Sequence, residues 1–115
     1  QPLKQDRKDR IFQSFIFSLS QNFRTHHSVS FYAAEQCLTP RYFSTIVREK
    51  SGRNALQWIM MFIIAEAKKL LSDPDPSIKE IAETLGFSNQ SFFGRYFKQY
   101  VGLSPMAFRS SGAEE

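Results

Sequence analysis

Two sets of side chains in this chain could read a nucleic acid. Arg41, Ser44, Thr45 and Arg48 form one; Asn89, Gln90, Ser91, Gly94, Arg95 and Lys98 form the other. Helical spacing places each set along one outward face. Arginine can chelate a guanine edge, asparagine and glutamine can pair with adenine, and hydroxyls serve either. Lys50, Arg53 and Ser88 flank these faces and suit phosphate contacts, which hold a protein on a duplex without reading its sequence. Either face alone could be an ordinary solvated helix surface. The expectation of DNA rests on finding two of them on matched scaffolds.

The scaffolds repeat. Val29-Ser-Phe-Tyr32-Ala33-Ala-Glu-Gln-Cys37-Leu38-Thr39, followed by Phe43, Val47 and Gly52, parallels a second stretch. That stretch runs Ile78-Lys-Glu-Ile81-Ala82-Glu-Thr-Leu-Gly86-Phe87-Ser88, followed by Phe93, Phe97 and Gly102. The offset is 49 residues up to Thr39/Ser88 and 50 from Phe43/Phe93, so the second turn holds one extra residue. Each stretch satisfies the demands of a helix-turn-helix, in which two short helices cross steeply. Ala33 and Ala82 are small enough for the crossing, and Leu38 and Phe87 plug the corner. Thr39 and Ser88 offer a hydroxyl to cap the second helix. Phe43/Val47 and Phe93/Phe97, four apart, dock it inward. Gly86 accepts the positive φ that such a turn favours. Cys37 does not, so the first turn is expected to avoid positive φ.

The rest of the chain reads as helix, without strand alternation, so the expected fold is all-α. Residues 1–10 look like a charged lead-in, and Ile11, Phe12, Phe15, Ile16, Leu19 and Phe23 mark a lead helix ending near residues 24–27. Ser28 or Ser30 caps a helix to about Gln36, and Thr39-Pro40 opens the next, with Tyr42, Phe43, Ile46 and Val47 inward. Asn54 caps a joining helix to Ser72 whose apolar side carries Leu56, Ile59, Phe62, Ile63, Ala67, Leu70 and Leu71. At about 19 residues it would be ~28 Å long, near the ~34 Å between successive major-groove faces. Ser77 caps Ile78 to Leu85, with Glu80 as a capping-box partner. Residues 89–100 form the next helix, and Ser104-Pro105 starts a last one through Arg109. The expected segments are a linker and lead helix (1–28), a first helix-turn-helix (29–53), the joining helix (54–73), a second helix-turn-helix (74–109) and a tail (110–115).

Bulk properties agree. The 115 residues include 12 Phe and 42% hydrophobic side chains, enough for a packed core, and a net charge of +4 suits a polyanion. One cysteine excludes an internal disulfide and fits a reducing, cytoplasmic setting. Residues 1–10 are polar and charged, so no signal peptide is expected there, and the longest apolar run, residues 55–67, is too short for a membrane helix. The chain does not begin with Met and reads as a fragment of a larger protein.

The second half carries a family resemblance. Ile78-Lys-Glu-Ile-Ala-Glu-Thr-Leu-Gly-Phe-Ser-Asn-Gln-Ser-Phe-Phe-Gly-Arg-Tyr-Phe-Lys, then Gly102-Leu-Ser-Pro105 and Phe108-Arg109, resembles the AraC/XylS-type bacterial transcription regulators. Trp58-Ile59 and Ala67-Lys-Lys-Leu-Leu71 are similar to that family's joining helix, and the resemblance spans residues 29–109. It implies a two-lobed domain of about seven helices, with the lead helix in addition, that binds double-stranded DNA and regulates a promoter. By position, Arg41, Ser44 and Thr45, and Ser91 and Arg95, match the family's base-reading sites. It also implies an upstream sensor or dimerisation domain and RNA polymerase as a partner.

Two departures stand out. Ile63 replaces a frequent arginine within the apolar run Trp58–Ile64, so Met60, Met61 or Ile64 is expected either to meet another surface or to pack within the domain. Cys37 occupies the first turn and is expected to be a small buried hydrophobe. His26-His27 lies at a helix end and is not expected to bind metal. Glu35, Glu49, Glu66, Glu80 and Glu83 look like solvated faces. No cofactor and no catalytic residue is expected, and no phosphate-cradling glycine loop is present. The rival reading is a helical protein-interaction module that never touches DNA.

Overall fold

The computed structural model describes residues 6–112, and among these every regular element is an α-helix. The seven are α1 (Arg7–Asn22), α2 (Val29–Glu35), α3 (Pro40–Ser51), α4 (Ala55–Ser72), α5 (Ile78–Thr84), α6 (Gln90–Val101) and α7 (Pro105–Ser111). The lead helix is thus one of the seven. Two compact units divide within α4, one up to Phe62 and the other from Ile63.

Local chemistry sets nearly every helix start. The Ser28, Thr39, Ser77 and Ser104 hydroxyls each accept an N–H from the residue three positions on. Ser77 and Glu80 close a reciprocal capping box, and Asn54 and Gln57 do the same for α4 (2.9 and 2.8 Å). The Pro74 and Pro76 that follow α4 cannot prolong it. α1 begins earlier than the charge pattern led us to expect. Asp6 and Asp9 form a capping box, so residues 7–10 are helical rather than a loose lead-in. Residues 1–5 and the end of the tail lie outside the described residues.

In the first unit Phe15 of α1 is fully buried, edge-on to Tyr32 of α2 (5.4 Å between ring centroids) and Phe43 of α3 (5.1 Å). In the second, Phe93 and Phe97 of α6 are fully buried, with Phe97 against Phe108 of α7 (5.5 Å). Burying one such side chain contributes about 1.5–3 kcal/mol. These contacts fix which face of α3 and α6 turns inward.

Two expected core positions are instead exposed: Tyr42, by 46%, and Leu56, by 51%. The inward face of α3 is already filled by Phe43, Ile46 and Val47, and Tyr42 lies beyond its edge. Within the apolar run of α4, Ile59 and Ile63 are fully buried, Met60 and Ile64 are half-buried, and Met61 is exposed. Ile63, where an arginine was expected from the family pattern, is therefore core.

Candidate nucleic-acid interface

The two helix-turn-helix corners are built alike. After α2, the Leu38 N–H donates to Ala33 O; after α5, the Phe87 N–H donates to Ala82 O (3.0 and 2.9 Å). Gly86 turns the second corner with φ 81. Cys37 turns the first with φ 59, the one non-glycine residue with positive φ among those described. This corrects the expectation that the first turn avoids positive φ: the corner geometry is kept, and a side chain is carried into the left-handed region. Cys37 is also exposed, not buried, because a left-handed residue at a helix exit points its Cβ outward.

The extra residue of the second turn is now located. Thr39 caps α3 (Tyr42 N–H to Oγ1, 3.2 Å), but α6 is capped by Asn89 (Phe92 N–H to Oδ1, 2.8 Å), not by Ser88. Ser88 is the inserted residue and is exposed. The Asn89 carbonyl oxygen is occupied by the cap, which leaves its amide N–H groups to meet a ligand.

Opposite the buried Phe43, Ile46 and Val47, α3 exposes Arg41, Thr45 and Arg48. Thr45 donates to the Arg41 carbonyl (3.0 Å), and neither guanidinium has a protein partner among the described residues. Ser44 is half-buried, and its Oγ accepts the N–H of Ala55, the first residue of α4 (3.2 Å). Its own hydroxyl proton remains available. In α6, Gln90, Ser91, Arg95 and Lys98 are exposed opposite Phe93 and Phe97. The Arg95 guanidinium lies 6.0 Å from the Phe92 ring centroid. Phe92 and Tyr42 occupy equivalent positions on their helices and are both 46% exposed.

The flanking cations differ in their surroundings. Arg53 is exposed, its guanidinium 5.9 Å from the Trp58 ring, and Trp58 itself donates Nε1–H to Ser51 Oγ (2.8 Å). Lys50 is paired with Asp9 at 2.8 Å and Asp6 at 3.4 Å, leaving 27% of its side chain exposed. One basic residue escaped the sequence reading. Lys79, in the first turn of α5, lines a cleft of about 360 Å³ with Ser88, Asn89, Gln90 and Ser91. Its counterpart in the first repeat is Ser30, so the comparison of repeats carried no signal for it.

Among the described residues no group of His, Cys, Asp and Glu could hold a metal ion, and no helix is long and apolar enough to cross a membrane. His26 stacks flat on Phe31 (3.7 Å, 5°) instead.

A family model described as a helix-turn-helix domain matches residues 32–111, well over half of the chain. The chain belongs to the AraC-type helix-turn-helix family. Similar relatives include the arabinose operon regulatory proteins of Salmonella typhimurium (34% identical over 75% of this chain) and Escherichia coli (37% over 72%). The chain spans about a third of their length, 31% and 28%. Among solved structures, the C-terminal domain of AraT, a response regulator from Geobacillus stearothermophilus, shares the AraC-type fold. It has a TM-score of 0.82 at 23% identity and covers 92% of this chain and 88% of its own. The DNA-binding domain of AdpA, solved in complex with a target DNA, is 26% identical with a TM-score of 0.74 and covers 88% of this chain and 90% of its own.

Proposed function

We propose that this chain is the DNA-binding part of a transcription regulator, inserting α3 and α6 into successive major grooves of a promoter. The observation that carries the reading is the repeated corner. Two capped helices are each locked by buried aromatic or aliphatic side chains; on the opposite face α3 presents arginines and hydroxyls, and α6 presents amides, a hydroxyl and cations. The operon regulators among the relatives, and the AdpA domain bound to its target, support it.

Arg41, Ser44, Thr45 and Arg48 contact bases and adjacent phosphates from α3. Asn89, Gln90, Ser91, Arg95 and Lys98 do so from α6, Asn89 through its amide N–H groups and Ser44 through its remaining hydroxyl proton. Lys50, Arg53 and Ser88 contact phosphate, with Lys50 exchanging its carboxylate partners for the duplex. An upstream sensor or dimerisation domain and RNA polymerase complete the full-length regulator's partners.

A gel-shift series across ionic strength tests this. Binding to promoter fragments should weaken steeply with salt, as counterion release requires, while one set of sequences remains preferred. No shift of any fragment at low salt contradicts it.

A further inference from the structure

Gly94 lies in the middle of α6, between Phe93 and Arg95. Its φ is not positive, so the backbone does not demand glycine. A β-carbon added there would meet no heavy atom within 4 Å outside its own helical turn, so neither does packing. A glycine inside a helix is disfavoured relative to alanine by backbone entropy. Gly94 is therefore kept at a cost that nothing among the described residues explains.

The first repeat shows what the fold does ask of this position. Its equivalent there is Ser44, whose Oγ accepts the Ala55 N–H at the start of α4 (3.2 Å). The residue equivalent to Ala55 at the start of α7 is Pro105, which has no N–H to satisfy. The second repeat thus needs no hydroxyl at position 94, yet the interior leaves room for alanine. The remaining demand comes from outside, on a helix whose neighbouring positions include Ser91 and Arg95, both exposed.

We propose that Gly94 is a close-approach position: in the complex, a base edge in the major groove packs against the bare α6 backbone there. The proposal rests on the reading of this chain as a DNA-binding domain and adds a contact made by the absence of a side chain. Close packing at Gly94 lets Ser91 and Arg95 reach deeper into the groove than a β-carbon would allow.

The test is Gly94→Ala in this chain, with thermal unfolding and DNA binding measured on the same preparation. The melting temperature should rise by a few degrees, because alanine is the better helix former. Affinity for a selected binding site should fall about tenfold or more, as when a well-packed contact is overfilled. Gly94→Ser should fall at least as far. Unchanged affinity for the selected site overturns the proposal while leaving the DNA-binding reading intact. A lowered melting temperature overturns the claim that the interior leaves space. An equal loss on random DNA overturns the assignment to a base edge. Failure of the unsubstituted protein to bind any DNA overturns the reading beneath it as well.

Discussion

Lys50 Nζ lies 2.8 Å from Asp9 Oδ1, tying the last turn of α3 to the first turn of α1. Asp6 adds a second carboxylate at 3.4 Å, and Lys8 and Glu49 make a parallel pair at 3.0 Å. The lead helix is therefore held to α3 at both ends, by charge at the C-terminal end and by Phe15 against Phe43 in the first turn. Exposed pairs of this kind are screened by salt and individually weak.

The clasp has a pH signature. The Asp9 backbone N–H that Asp6 accepts, together with nearby Lys50, holds the Asp6 carboxyl below its ordinary 3.8. Asp9, then Asp6, raise the Lys50 ammonium above its ordinary 10.5. A lowered carboxyl stabilises above its unfolded value and loses that as pH falls; a raised ammonium stabilises below its unfolded value and loses that as pH rises. The stability gap between the unsubstituted protein and Asp6→Asn should thus be open at neutral pH. It should close as pH falls well below 3.8 and narrow as it climbs past 10.5, where the Lys50 share is lost and the Asp9 N–H share remains. Melting curves at three pH values check this, and a gap independent of pH would contradict it.

Lys50 must leave its carboxylates to meet a phosphate, whereas Arg53 has no ion pair among the described residues. Arg53→Ala should therefore weaken binding to all sequences alike and reduce the salt slope by about one. Lys50→Ala should weaken it less. Binding isotherms across a salt series, on selected and random duplexes, distinguish the two.

Arg95 is exposed on α6 beside Phe92, and we propose that it reads a base. Arg95→Ala should cost ~1–3 kcal/mol on the selected site and relax its sequence preference. Competition between the selected site and single-base variants reads this directly. Equal losses on specific and random DNA would make Arg95 a phosphate contact.

Cys37 carries a side chain at φ 59 in a turn where its counterpart is glycine. Cys37→Gly relieves that strain but frees the unfolded chain, so stability should change by less than about 1 kcal/mol. Cys37→Val, β-branched in the left-handed region, should destabilise by about 1–2 kcal/mol. Denaturant unfolding of both variants measures the difference. Being exposed, Cys37 should also react with a thiol reagent in the folded protein.

Periodicity and capping chemistry made most of the fold legible. Thr39, Ser77 and Ser104 are local signals, and the apolar positions four apart in α3 and α6 could dock only one way. Failures came where a decision was not local. Tyr42 reads as core by residue type, yet Phe43, Ile46 and Val47 had already filled that face. Ser88 and Asn89 are both good caps, and only the corner geometry selects Asn89. The strain at Cys37 is set by the crossing of α2 and α3, which overrides the residue's own preference. At the interface, residue types located the outward faces, but the second use of Ser44 and the pairing of Lys50 depend on α4 and α1 and leave no trace in spacing.

The proposed function has one chain reading DNA with two helices, α3 and α6. Selection of bound fragments from random duplexes, followed by protection mapping, decides whether it does. Two preferred blocks should emerge about one helical turn, ~10–10.5 base pairs, apart. Arg41→Ala should erase the preference in one block and Arg95→Ala in the other. A single block affected by both substitutions, or no enrichment at all, would contradict it.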